Sequence, residues 1–136
     1  MTVFICIDDK GGMTFCGKRQ SRDSMLIKDV AAHAEDGLLY ISDFSEKLFL
    51  DSDASVISVP DPLGSAGEGG FAFVETPPLA PYKDKIKTLV IYKWNRHYPS
   101  DKKLDISPRD MGMHLAHTYD FKGTSHEKIT KEVYER

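Results

Sequence analysis

Cysteine is scarce in these 136 residues, with only Cys6 and Cys16, and Trp94 is the single tryptophan. Neither cysteine sits close to the other or to a histidine at metal-ligand spacing, so the sequence offers neither a disulfide framework nor a cysteine zinc motif. No apolar run is long enough to cross a bilayer. Met1 to Ile7 lacks the basic start and small-residue cleavage site of an export signal, so a soluble, reduced, cytoplasmic chain is expected. Positive charge is not in surplus either: 18 Lys and Arg stand against 21 Asp and Glu, giving a net charge of -3. A broadly basic nucleic-acid face is therefore not expected. Repeats, linkers and low-complexity stretches are missing as well, which points to one domain spanning residues 1–136.

What is present alternates between strand and helix signals. Val3 to Ile7 is a continuous apolar run, the pattern of a strand covered on both faces, and Asp8 to Gly12 ends it. Met13 to Arg22 reads as loop. From Asp23 or Ser24 the residues Met25, Leu26, Val30 and Ala31 keep helical spacing until Gly37. Leu38 to Ile41 reads as a second strand, followed by a short helix capped by Ser42 or Asp43 with Phe44, Leu48 and Phe49 on one face. Ser55 to Val59 is a third strand, and Pro60 to Gly70 is rich enough in Gly and Pro to read as a mobile loop. Phe71 to Val74, Thr88 to Trp94 and Met113 to Tyr119 are further strands, with Ala80 to Ile86 a short turn or helix. Ser125 to Arg136 fits a capped terminal helix or a last strand with Ile129 and Val133 inward, and the helix is the preferred reading. This order predicts an α/β fold, a single mixed, mostly parallel sheet flanked by helices.

The same order resembles the dihydrofolate reductase fold over nearly the whole chain. The resemblance rests on Ile5-Cys6-Ile7-Asp8-Asp9-Lys10-Gly11-Gly12-Met13, on Leu39-Tyr40-Ile41 with Asp43-Phe44-Ser45, and on Phe71-Ala72-Phe73-Val74 followed by Lys85 to Tyr92. It implies NADPH as cofactor and places Asp23 where reductases hold the pterin ring. Reductases, however, carry a Gly-Arg-x-Thr or Ser sequence after the second strand and a Gly-Gly pair after the strand equivalent to Phe71 to Val74, so that backbone amides can hold phosphate. Here those places read Ser42-Asp43-Phe44-Ser45 and Glu75-Thr76-Pro77-Pro78. Asp43 and Glu75 set carboxylates against a pyrophosphate, so ordinary NADPH use is not expected. Lys18-Arg19-Gln20 also replaces the Pro-Trp pair expected ahead of Asp23. A looser resemblance, carried by Arg19-Gln20-Ser21-Arg22-Asp23, by Tyr92 to Asp101 and by Gly123 to Thr130, is to small bacterial proteins of Firmicutes and their mobile elements, some labelled ribonuclease Z. The zinc-binding His-x-His-x-Asp-His cluster which that label requires is missing from the sequence.

Three clusters are candidates for chemistry. Arg19, Gln20, Ser21 and Arg22 stand before the helix that Asp23 or Ser21 would cap, and suit a phosphate or carboxylate. Lys93, Trp94, Asn95, Arg96 and Tyr98 mix aromatic and basic groups at a strand end, where open α/β sheets bind ligands; Trp94 fits a base-stacking surface and a core anchor equally well. Thr124, Ser125, His126 and Glu127 offer hydroxyl, imidazole and carboxylate, although the same residues suit a helix start and sequence neighbours seldom point at one another. His114 and His117 face opposite sides of a strand, so no metal site is expected. The leading expectation is a ligand-binding protein that takes a nucleotide or other small phosphate-bearing molecule without NADPH chemistry. The alternatives are a reductase with atypical cofactor contacts and Asp23 as its acid, a mobile-element interaction or inhibitor protein with a protein partner, and a metal-independent ribonuclease using His126 and Glu127.

Overall fold

The structure is a computed structural model describing all 136 residues. Its strands are β1 (Thr2–Ile7), β2 (Gly12–Phe15), β3 (Lys18–Arg19), β4 (Leu38–Ile41), β5 (Ser55–Ser58), β6 (Phe71–Phe73), β7 (Thr88–Lys93), β8 (Lys102–Lys103), β9 (His114–Phe121) and β10 (Ile129–Glu135). Helix α1 spans Ser24–His33 and the single-turn α2 Pro62–Ser65, and 3-10 helices cover Asp43–Phe49, Ala80–Lys85 and Arg109–Met111. Seven strands form one sheet in the order β5-β4-β6-β1-β7-β10-β9. The first five in that order run parallel, and β10 pairs antiparallel with both β7 and β9. The mixed, mostly parallel sheet expected from the sequence is present.

Side-chain alternation along β1 divides the core between the two faces. Val3, Ile5 and Ile7 pack with Leu89, Ile91, Leu79 and Met111 on one side. Phe4 packs on the other with Leu26, Ile27 and Val30 of α1 and with Phe73, Tyr92 and Trp94. Parallel strands covered on both faces lose both sets of side chains from water, which is why β1 and β7 read as unbroken apolar runs.

Three expectations are corrected. Residues 125–136 do not form a terminal helix; Ile129, Lys131 and Val133 are buried in alternation along β10, which fills the place between β7 and β9. The Ile129–Val133 spacing of four satisfies one helical turn and one face of a strand alike, so periodicity alone could not separate them. The stretch from Met13 to Arg22 is not plain loop. β2 and β3 form a hairpin whose two-residue turn, Cys16-Gly17, has φ of 51° and 74°, the left-handed pair that matches strand twist. Finally, the Gly and Pro segment holds α2, whose Asp61 cap accepts from the Gly64 amide and whose Leu63 is buried.

Candidate functional site

The carboxyl ends of β1, β6 and β7 lie where the chain's connections reverse direction, and open α/β sheets form their crevices at such points. Here the crevice is a slot between Cys6, Met13, Phe73 and Trp94, edged by residues 19–23 and Glu75. Its free volume is only about 20 Å³, room for one water. Beside it, between α1 and the Asp43–Phe49 helix, runs an open groove of about 700 Å³. Arg22, Asp23, Ile27 and Leu48 line both spaces, so slot and groove are continuous.

Asp23 caps α1 and also fastens the turn before β10. Its Oδ1 accepts the Met25 and Leu26 amides at 2.9 and 3.2 Å, and its Oδ2 accepts the Ser125 amide and hydroxyl at 2.7 and 2.8 Å. Burial alone would raise this carboxyl, but the Ser125 donors and the Thr124 and Leu26 amides hold it at about 2. These donors fill the roughly four lone-pair sites of the carboxylate, leaving none for a ring held as reductases hold pterin. Asp8 is similarly engaged, with Oδ1 accepting Gly12 and Lys10 amides and Oδ2 accepting Gln20 and the Tyr98 amide. Burial works against its charge, yet these donors keep it below the ordinary aspartate range.

From Asp23 a hydrogen-bond chain continues outward. Ser125 Oγ lies 2.7 Å from His126 Nδ1, and His126 Nε2 lies 2.6 Å from the Tyr98 hydroxyl. Burial, then the Arg96 charge, lower the His126 pKa, with Asp23 opposing. In the neutral ring that results, Tyr98 donates to Nε2, Nδ1–H donates to Ser125, and Ser125 donates to Asp23, which pairs every polar hydrogen. The expectation that Ser125 and His126 would not meet is therefore corrected, and so is the helix start at these residues. Ser125 gives its only hydroxyl hydrogen to Asp23, an arrangement that builds structure and does not activate a nucleophile. The imidazole stacks on Trp94, ring centres 4.8 Å apart. Because His126 binds a proton more weakly folded than unfolded, the stability it confers is complete above about pH 6.5 and declines as pH falls toward its folded value. A melting-temperature series across that range is expected to show the decline, and His126→Gln to flatten part of it.

The other sequence-predicted residues separate. Arg19 bonds Glu75 through Nε and a terminal nitrogen at 2.8 and 3.0 Å and lies 4.5 Å above the Phe44 ring. Gln20 donates to Asp8, while its buried Oε1 has no partner. Ser21 edges the slot, and Arg22, at its junction with the groove, forms no ion pair. Lys93 is 3.1 Å from Glu132, Asn95 ties Lys128 and Thr130, and Arg96 and Glu127 are exposed. Trp94 is 4% exposed, an anchor in the core. Sequence reasoning passed over Lys28 and Lys47, which line the groove; the outward helical spacing of Lys28, Ala31, Ala32 and Glu35 was the available signal.

No protein-family model matches the chain, and no curated protein does. Among solved structures, dihydrofolate reductase from Enterococcus faecalis, complexed with NADP(H) and RAB-propyl, matches all of this chain and 96% of its own, with TM-score 0.65 and 13% identity. The fold is that of dihydrofolate reductase. The resemblance places a reductase cofactor's phosphates after the strands equivalent to β4 and β6. That region is a separate groove of about 330 Å³ between Gly17, Ser42, Phe44, Asp61, Glu75 and Tyr82, with no lysine or arginine in its lining. Pro77 and Pro78 follow β6 and supply no amide hydrogens. Glu75 is taken by Arg19, and Asp43, expected here from the sequence, does not line the groove; the Asp61 carboxylate, the two missing amide donors and the lack of a lining cation do not fit a dinucleotide phosphate. No helix is long and apolar enough to cross a membrane.

Proposed function

We propose that this protein binds a small phosphate-bearing ligand, a nucleotide, in the groove between α1 and the Asp43–Phe49 helix, and that it does not run NADPH reductase chemistry. The supporting observation is the groove itself: its volume of about 700 Å³ lies within the range of small-molecule sites. Arg22, Lys28 and Lys47 line it and form no ion pair with the protein. Arg22 stands at the amino end of α1, where the helix dipole adds positive potential. Glu35, beyond the carboxyl end, together with Asp51 and Asp53, suits ribose hydroxyls or base amines. Apolar Ile27, Ala31 and Leu48 give a base or sugar its contact surface.

Calorimetric titration with AMP, ADP, inorganic phosphate and folate tests this reading. Saturable nucleotide binding is expected, weakened about tenfold or more in the Lys28→Ala, Lys47→Ala double variant, since two charge-assisted contacts are lost. Equal affinity in that folded variant, or no nucleotide binding at all, overturns it.

A further inference from the structure

We propose that the groove of about 330 Å³ between α2 and the chain leaving β6 binds an organic cation, a guanidinium group on a short apolar stem, with Asp61 as its counter-charge. This site is separate from the α1 groove and does not depend on the nucleotide reading above.

The lining is short of donors and of positive charge. It holds no lysine, arginine or histidine, and Pro60, Pro62, Pro77 and Pro78 bring carbonyls without amide hydrogens. Of the two carboxylates, Glu75 is taken by Arg19 and the Ser45 hydroxyl. Asp61 forms no ion pair, so it is the uncompensated charge of the lining. The groove that disfavours phosphate therefore favours a cation.

Asp61 is also held ready. Its Oδ1 accepts the Gly64 amide at 3.2 Å and its Oδ2 accepts the Tyr82 hydroxyl at 2.8 Å. These bonds fix the carboxylate and leave about one lone-pair site on each oxygen. A free site on both oxygens suits the planar fork of a guanidinium, whereas an ammonium meets them only as a point charge. The Phe44 and Tyr82 rings line the same space, and aromatic faces attract cations. Arg19, which does not line the groove, already lies 4.5 Å from the Phe44 ring centre, so this ring serves one guanidinium within the protein. Leu63 and Val74, with the prolines, give the stem its apolar contact.

Butylguanidinium, butylammonium and neutral butylurea share one stem and separate charge from shape. Titrated into isotope-labelled protein and followed by amide NMR, butylguanidinium is expected to shift Gly17, Gly64 and Thr76 saturably, with Kd near about 1 mM because Asp61 is exposed. Butylammonium should bind about threefold more weakly, and butylurea at least about tenfold more weakly. Asp61→Asn keeps the cap on α2, since Asn and Asp cap equally well, and should weaken butylguanidinium at least about tenfold. An arginine side chain of a polypeptide carries the same group: tighter binding of acetyl-Gly-Arg-Gly-amide than of butylguanidinium assigns the site to that source, and weaker binding assigns it to a free small cation. No saturable shift up to about 20 mM, butylammonium or butylurea binding as tightly as butylguanidinium, unchanged affinity in folded Asp61→Asn, or shifts centred on Glu35, Asp51 and Asp53 of the α1 groove would each overturn the proposal. Failure of nucleotides to bind the α1 groove leaves this result untouched.

Discussion

Trp94→Ala is expected to destabilise the protein by about 3–5 kcal/mol, the usual loss when a large buried aromatic is truncated. Trp94 is 4% exposed at the end of β7, within the core that includes Leu26, Phe73 and Ile129, and it carries the stacked His126 ring. Truncation removes apolar contact on one side and leaves the imidazole without its packing partner on the other. Since a chain of this length is stable by only about 7–20 kcal/mol, the loss is a large fraction of the total. Urea unfolding followed by circular dichroism measures it, as the variant has no tryptophan left to report. A loss below 1 kcal/mol would instead mark Trp94 as the ligand-stacking surface residue that the sequence equally allowed. Trp94→Phe should retain most of the stability.

Asp23→Ala is expected to cost about 2–4 kcal/mol. The cap on α1 contributes about 0.5–2 kcal/mol, and the Ser125 donors lose their acceptor in the same step. The same hydrogen bonds depress the carboxyl from 3.8 to about 2, which corresponds to roughly 2 kcal/mol. The sign follows from that depression: the contribution is complete above pH 3.8 and disappears as pH falls from there to about 2. Parent and variant should therefore converge in stability over that interval. Combining Asp23→Ala with Ser125→Ala is expected to give a coupling of about 1 kcal/mol, because the two residues share the interaction. Additive losses would show that the capping bonds act alone.

The parts of this fold legible in the sequence are those whose signal is local. Val3 to Ile7 and Leu89 to Ile91 announce buried parallel strands by composition, and Asp23 announces a cap by standing before Met25 and Leu26. The element order carried the reductase resemblance even though identity to the solved neighbour is 13%, because burial pattern and turn placement persist when individual side chains do not. What could not be read depends on long-range closure. Arg19 and Glu75 are 56 residues apart, and their pairing changes Glu75 from a bare obstacle to phosphate into a neutralised partition. Ser125 and His126 meet only because Asp23 and Tyr98 hold them from opposite ends. The β2–β3 turn is Cys16-Gly17 where Asn-Gly would have been recognisable, and β10 was obscured by its spacing of four. The groove that carries the functional proposal is formed by two helices that each show only one outward face to a sequence reader.

The dihydrofolate reductase fold is present here with Asp23 held by Ser125 and Glu75 by Arg19, so no NADPH chemistry is expected. NADPH titrated into the protein, with binding read by calorimetry and oxidation by the cofactor's absorbance in the presence of dihydrofolate, tests this most directly. The expected result is no saturable binding at concentrations up to about 1 mM, where Kd corresponds to roughly 4 kcal/mol, and no NADPH consumption. Micromolar binding accompanied by turnover would contradict it.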